Sequence, residues 1–290
     1  MHKVWIEVAL NGAWSRRLQP RIPDTVEAIV AEGIACARAG AAIVHTHAYQ
    51  DGKHTFDWQV YARIIEGIRA EIDVPVYPSY PATEPGMTAA QRFAHVEKLV
   101  ERGLLEFAVV DPGSVNFTTA ITTAEAKPAF TYLNPEAHVR HALAFAAKHG
   151  LPPAFAIYEP GFTRAGAALA RATGVKTPMY RFMFSQSFAF GFPPKSYALA
   201  AHVALLQELD ATAPWMIAGL SVDVRPLIAE TVARGGHVRV GLEDAPLGTQ
   251  TGNVAWVEEA VRLVRENGGE PATAADVRAA VGSRRASHPG

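Results

Sequence analysis

The chain has 290 residues, is 49% hydrophobic and 19% charged, and carries a formal net charge of −1. That length is ample for a sizeable core, and a near-neutral balance without a basic block excludes nucleic acid and anionic membrane as main partners. No apolar run approaches the ~20 residues of a membrane span.

The first residues, MHKVWIEVAL, begin directly with a strand-like pattern and show no signal-peptide architecture. The single cysteine, Cys36, excludes an intramolecular disulfide and sits in a helix-period segment as a small core residue. A cytoplasmic location is the expectation. Short β-rich runs are predicted at 4–10, 42–47, 74–79, 105–110, 154–158, 179–184, 214–219 and 237–242. Helical patterns lie between them at 24–39, 57–71, 88–102, 135–149, 162–173, 196–209, 224–234 and 253–267. Asp24, three residues before Glu27, has capping-box spacing for the first helix. Gly40, Gly103, Gly150 and Gly174 fall where helices would stop. Eight strand–helix units with no Pro/Gly/Ser-rich divide predict a single α/β domain, a (β/α)8 TIM barrel over residues 1–282, with a disordered tail at 283–290.

In such barrels chemistry sits at the C-terminal ends of the strands, and polar residues collect there. Asn11 follows strand 1, His45 and His47 end strand 2, and Ser79 ends strand 3. Asp111, Ser114 and Asn116 follow strand 4, Glu159 follows strand 5, and Ser185 and Gln186 follow strand 6. Ser221 and Asp223 follow strand 7, and Glu243 and Asp244 follow strand 8. Alternate strand side chains share a face, so His45 and His47 project together, ~7 Å apart along the backbone, and both imidazoles can reach one metal ion. Two imidazoles and a carboxylate with open positions make a catalytic zinc arrangement, although nickel, cobalt and iron accept the same donors. The carboxylate candidates are Glu7, Asp111, Glu159, Asp223, Glu243 and Asp244. Glu243 is preferred, because strand 8 closes the barrel and its exit can face the axis at the level of strand 2. His237, at the opposite end of strand 8, reads as structural, and His54, His95, His138, His141, His149 and His202 as helix or loop residues without a site role.

The stretches VALNGAW, AGAAIVHTHAYQDG, DPGSVNF, IYEPG, WMIAGL and GGHVRVGLEDA together resemble the β-keto acid cleavage enzymes, in order over about residues 3–280. The resemblance implies a zinc-dependent barrel that cleaves a β-keto acid with acetyl-CoA, giving acetoacetate and a new acyl-CoA. It implies zinc ligation by His45, His47 and Glu243, and it puts Ser79, Ser114, Glu159 and Asp244 at active-site positions. Retro-Claisen cleavage needs a polarised ketone and a base. Asp244 would be the base, and the hydroxyls of Ser79 and Ser114 would hold the substrate carboxylate or the oxyanion. Asn11, Asn116, Trp14 and Arg225 are expected to bind substrate.

Three departures from the family pattern stand out. Trp14 replaces a glutamate that faces a substrate amine, so an uncharged substrate side chain is expected. Val222 aligns with an arginine that assists the catalytic aspartate, leaving Arg225 as a substitute, or as a partner of Asp223. Aromatic residues, Tyr80, Phe188, Phe190 and Phe192, replace the glycine-rich loops after strands 3 and 6, which weakens the expectation for CoA more than that for zinc. The competing expectation is a metal-dependent barrel of another reaction class, a hydrolase or aldolase-type lyase acting on an apolar carbonyl compound. A non-catalytic binding barrel is the third. Barrels of this type often associate, so a homo-oligomer is expected.

Overall fold

Runs that are apolar on both faces become the strands of a covered parallel sheet, where no polar alternation is needed. They are β1 Ile6–Ala9, β2 Ile43–Thr46, β3 Val76–Pro78, β4 Ala108–Val110, β5 Pro153–Ile157, β6 Met179–Phe184, β7 Trp215–Gly219 and β8 His237–Val240. The computed structural model describes residues 2–119 and 130–282, so the expected tail at 283–290 lies outside the described residues. All the strands run parallel in one eight-stranded sheet ordered β3-β2-β1-β8-β7-β6-β5-β4. That order is the chain order bent round until β8 pairs with β1, a nearly closed (β/α)8 barrel.

The helices α1 Val26–Ala39, α2 Trp58–Glu71, α3 Ala89–Glu101, α4 Glu136–His149, α5 Pro160–Thr173, α6 Ser196–Asp210, α7 Ile228–Ala233 and α8 Asn253–Glu266 each follow their strand and cover the sheet. Gly40, Gly150 and Gly174 end their helices in the left-handed conformation, as the sequence pattern predicts. The first cap differs. Thr25, not Asp24, is extended and accepts from the Ala28 N–H at 3.2 Å, while Asp24 lies 3.5 Å from Arg16. Among the described residues the periodicity does not indicate two antiparallel pairs, the hairpin Ala48–Gln50 with Lys53–Thr55 and Val115–Asn116 with Thr131–Tyr132, nor a parallel pair of Lys3–Val4 with Glu270–Pro271, nor a further helix, α9 Ala274–Val281. A two-residue Asp51-Gly52 turn, a favoured hairpin connection, folds the hairpin back over the end of β2.

The seam of the barrel lies between β3 and β4, which neighbour each other without a hydrogen-bonded ladder. Side chains close it. At the C-terminal end the Tyr80 hydroxyl accepts from the Asp111 N–H at 2.8 Å. At the N-terminal end Glu106, 1% exposed, takes Arg69 of α2 at 2.8 Å and Arg278 of α9 at 2.5 Å. Arg278 also reaches Asp73, just before β3, at 2.9 Å. Removing one partner of a buried ion pair costs ~3–5 kcal/mol because the other charge stays buried. Glu106→Gln should therefore lower the unfolding midpoint in a thermal melt by roughly 5–10 °C. An unchanged midpoint would show that the seam does not depend on this cluster.

Candidate active site

Three side chains converge at the C-terminal mouth. His45 and His47 lie at the end of β2, 3% and 8% exposed. Glu243 arrives from the β8 exit, with its Oε2 3.3 Å from His45 Nε2 and its Oε1 3.6 Å from His47 Nε2. One ligand atom from each lies within 4.8 Å of the others, a cluster that could hold a metal ion. Burial pushes the His45 imidazole down to about 4, so it is neutral and a competent ligand at ordinary pH. Burial alone would raise the Glu243 carboxyl, but the Arg239 guanidinium, with the two imidazoles beside it, outweighs burial and holds the group well below the usual carboxylate range. Glu243 Oε2 is buried without a hydrogen-bond donor. An ionised, donor-free carboxylate oxygen beside two imidazoles fits a cation.

The backbone around the triad is fixed by specific contacts. Asn11 accepts from the His47 N–H at 2.9 Å and donates to the carbonyls of His47 at 3.1 Å and Pro23 at 3.0 Å. His47 Nδ1 lies 3.1 Å from His54 Nε2 on the hairpin, the outer-shell contact that fixes the tautomer and tilt of a ligating imidazole. At Gly241, φ +127°, a Cβ would sit 2.3 Å from the Ala9 carbonyl oxygen, so only glycine lets the β8 exit cross onto β1 and carry Glu243 to the axis. A Cβ on Gly12 would meet Glu243 Cγ at 2.8 Å. Asn253 holds the same exit, accepting from Leu242 N–H at 2.8 Å and donating to Leu10 O at 2.8 Å.

Below the triad the barrel interior carries charge where branched apolar residues usually fill it. Arg239 of β8 stands in register with Glu7 of β1, and both are essentially buried, 1% and 0% exposed. The Arg239 guanidinium contacts Glu7 at 3.2 Å, Glu243 at 3.0 Å and Asp244 at 2.8 Å. Asp244 also accepts from the Gly219 N–H at 3.1 Å. Burial raises the Asp244 carboxyl above its ordinary value, against the opposing pull of Arg239. On the far side Arg181 of β6 lies 3.9 Å from Asp111 and takes the Tyr77 hydroxyl at 3.2 Å, and Tyr77 donates to Glu7. Four carboxyl groups, the buried Glu7, Asp111 and Asp244 and the partly exposed Glu243, thus share two buried guanidiniums. When all are ionised the layer lacks two positive charges, the charge of one divalent cation.

Above this layer opens a cavity of about 530 Å3, lined by the triad, Arg181, Arg239, Asp111, His54, Ser79, Trp14 and an aromatic wall. Trp14 donates its indole N–H to the Glu243 carbonyl at 2.8 Å, which locks the ring beside that residue. The other expected residues are placed away from the lining. Asp244 stands behind Arg239. Glu159 precedes α5, and its carboxylate accepts from the Gly191 N–H at 3.0 Å, tying down the loop after β6. Ser114 accepts from the Asn134 N–H at 2.8 Å, and Asn116 from the Thr131 hydroxyl at 2.8 Å. Asn11 is wholly buried in its backbone contacts. Arg225 pairs with Asp223 at 2.7 Å and lies 4.0 Å over the Trp256 ring, so it does not stand in for the arginine thought absent at Val222. Arg239 makes the pairing with Asp244 instead, from within β8 itself. Arg239, Arg181 and His54 are the site residues that the pattern reading missed. The signal for the first two is an arginine inside a short, otherwise apolar strand.

The sequence profile of the beta-keto acid cleavage enzymes matches residues 3–282. The chain is 28% identical over 288 residues to the 3-keto-5-aminohexanoate cleavage enzyme of Fusobacterium nucleatum subsp. nucleatum, covering 96% of this chain and 97% of that protein. It is 29% identical over 288 residues to the 3-oxoadipate:acetyl-CoA acetyltransferase of Cupriavidus necator, covering 96% and 94%. Among solved structures, a ternary complex of ObcA with a C4-CoA adduct and oxalate shares the fold, with a TM-score of 0.67, 16% identity, and coverage of 91% of this chain and 68% of that one. With a profile match that spans almost every residue of the barrel, the chain belongs to the beta-keto acid cleavage enzyme family.

Proposed function

We propose that the protein transfers the acyl group of a β-keto acid with an uncharged side chain to CoA, using acetyl-CoA and zinc. The overall change is R–CO–CH2–COO− plus CH3–CO–S–CoA giving R–CO–S–CoA plus acetoacetate. The observation that carries the reading is the His45–His47–Glu243 cluster, set over a layer of paired carboxyl and guanidinium groups and open to a cavity. The family match and the relatives' acetyl-CoA names support the reaction class.

A divalent cation held by the triad would polarise the keto oxygen and stabilise negative charge on it. The chain's own groups do the rest. Acetoacetate contains C1 and C2 of the acid joined to the acetyl group, so C2 must lose a proton and become the nucleophile. Asp244 does not line the cavity. The proton therefore reaches it through Arg239, whose guanidinium passes one N–H proton to Asp244 as it takes another. Arg181 faces the same space and suits the substrate carboxylate, and the Ser79 hydroxyl suits an oxyanion. Trp14, held by its bond to the Glu243 backbone carbonyl, offers an apolar face suited to an uncharged group. The Arg239–Asp244 pair also supports this reading over a different reaction class, because an arginine is present beside the aspartate.

His45→Ala should fold with an unchanged far-UV spectrum yet lose most of its bound zinc by elemental analysis. His54→Ala should weaken zinc affinity ~10–100-fold through the lost outer-shell contact. Full occupancy in His45→Ala would contradict the ligand assignment. Arg239→Lys keeps a charge but cannot grip Asp244 and Glu243 together. It should retain zinc while acetoacetate formation falls ~10²–10⁴-fold, the usual cost of removing proton transfer. Near-normal turnover in that variant would place proton transfer elsewhere.

A further inference from the structure

We propose that the variable group of the β-keto acid is an aromatic ring, so that the preferred acids are of the 3-aryl-3-oxopropanoate class. The inference rests on the cleavage reading above for the reaction, and on the cavity wall for the ring. Five rings meet around Phe117. Phe130 stacks on it at 4.9 Å, and Tyr158, Phe188 and Phe190 meet it edge-on at 5.4 Å, with Tyr132 at 5.9 Å. All but Phe190 reach the cavity, and Tyr132, Tyr158 and Phe188 are only half-buried there. Aromatic pairs prefer edge-to-face or offset contact at centroid separations of 4.5–7 Å and gain more than buried area alone supplies. An aryl group continues this arrangement. An alkyl group of equal size gains only the area.

A ring cage also attracts quaternary ammonium groups, but the surroundings here disfavour a cation. Arg181 and Arg239 both line the cavity, and the Asp111 carboxylate beside the wall is committed to the Tyr132 hydroxyl at 2.8 Å, the Ala156 N–H at 3.1 Å and Arg181 at 3.9 Å. A carboxylate on the variable group finds no cationic partner on the aromatic face among the described residues, only the neutral hydroxyls of Tyr132 and Tyr158. The cavity, about 530 Å3, is within the range that encloses molecules much larger than acetoacetate. With a phenyl group the step is C6H5–CO–CH2–COO− plus acetyl-CoA giving benzoyl-CoA plus acetoacetate. The C2–C3 bond of the acid breaks, a new C–C bond joins C2 to the acetyl carbon, and the thiolate moves to the aroyl carbon.

The test uses the zinc-loaded full chain and five 3-oxo acids whose variable groups are phenyl, cyclohexyl, propyl, 2-carboxyethyl and trimethylammoniomethyl. Acetoacetate release with acetyl-CoA gives kcat/KM, and calorimetry without acetyl-CoA gives binding. The phenyl acid should exceed the cyclohexyl acid roughly three- to tenfold in both, and Phe188→Leu should bring that ratio toward one. Equal or better use of the cyclohexyl acid, or preference for either charged acid, overturns the proposal. Tightest binding of the phenyl acid without turnover of any acid supports the aryl pocket and overturns the cleavage reading instead. No ring preference in binding or turnover overturns the aryl pocket.

Discussion

Every functional feature of this barrel depends on a layer of buried charge across its interior. Two arginines, Arg181 and Arg239, keep their positive charge at any ordinary pH, and burying them unpaired would be prohibitive. Glu7, Asp111, Glu243 and Asp244 surround them, so the desolvated guanidiniums are paired several times over. The acidic excess then falls at the top of the layer, on Glu243, between two imidazoles. One arrangement thus keeps the arginines charged, leaves one carboxylate oxygen free for a cation, and points a guanidinium at the space where substrate would sit.

Such a layer needs a rigid frame, because misplacing a charge by an ångström in a low-dielectric interior costs far more than at a surface. The register of β8 with β1 sets Arg239 beside Glu7. Gly241 permits the tight crossing that returns Glu243 and Asp244 to Arg239, with the Asp244 N–H bonded to the Gly241 carbonyl at 3.1 Å. Asn11 fastens β1 to the His47 backbone, and Tyr49 holds the loop carrying Gly12 and Trp14 through their carbonyls at 2.9 and 2.7 Å. The ionic cluster around Glu106 closes the one seam that the backbone ladder leaves open.

The barrel and the convergence of His45, His47 and Glu243 are legible in the sequence because two periodic rules converge. Alternation puts His45 and His47 on one face, and the barrel puts strand exits on one end. The arginines were not legible for a physical reason. A strand covered on both sides is apolar on both sides, so HVRV and MYRFMF give no sign of which face is the interior. Arg239 therefore draws no expectation from the sequence, and Arg225 stands as the substitute because it lies near the expected place. Asp223, only two residues away, captures it. His54 was set aside as a loop histidine because its role comes from a hairpin whose strands are too short to show a period. Asp24 and Thr25 are both good cap residues, and only the backbone angles decide between them.

The central claim is that the buried layer is completed by one divalent cation held by two imidazoles and one carboxylate. X-ray absorption at the zinc edge on the metal-stripped chain, reloaded with one equivalent of zinc, tests it most directly. The account predicts nitrogen and oxygen scatterers at ~2.0–2.2 Å with the multiple-scattering signature of two imidazoles, and no sulfur shell. Zinc surrounded by water oxygens alone, or a sulfur shell at ~2.3 Å from the buried Cys36, would contradict it.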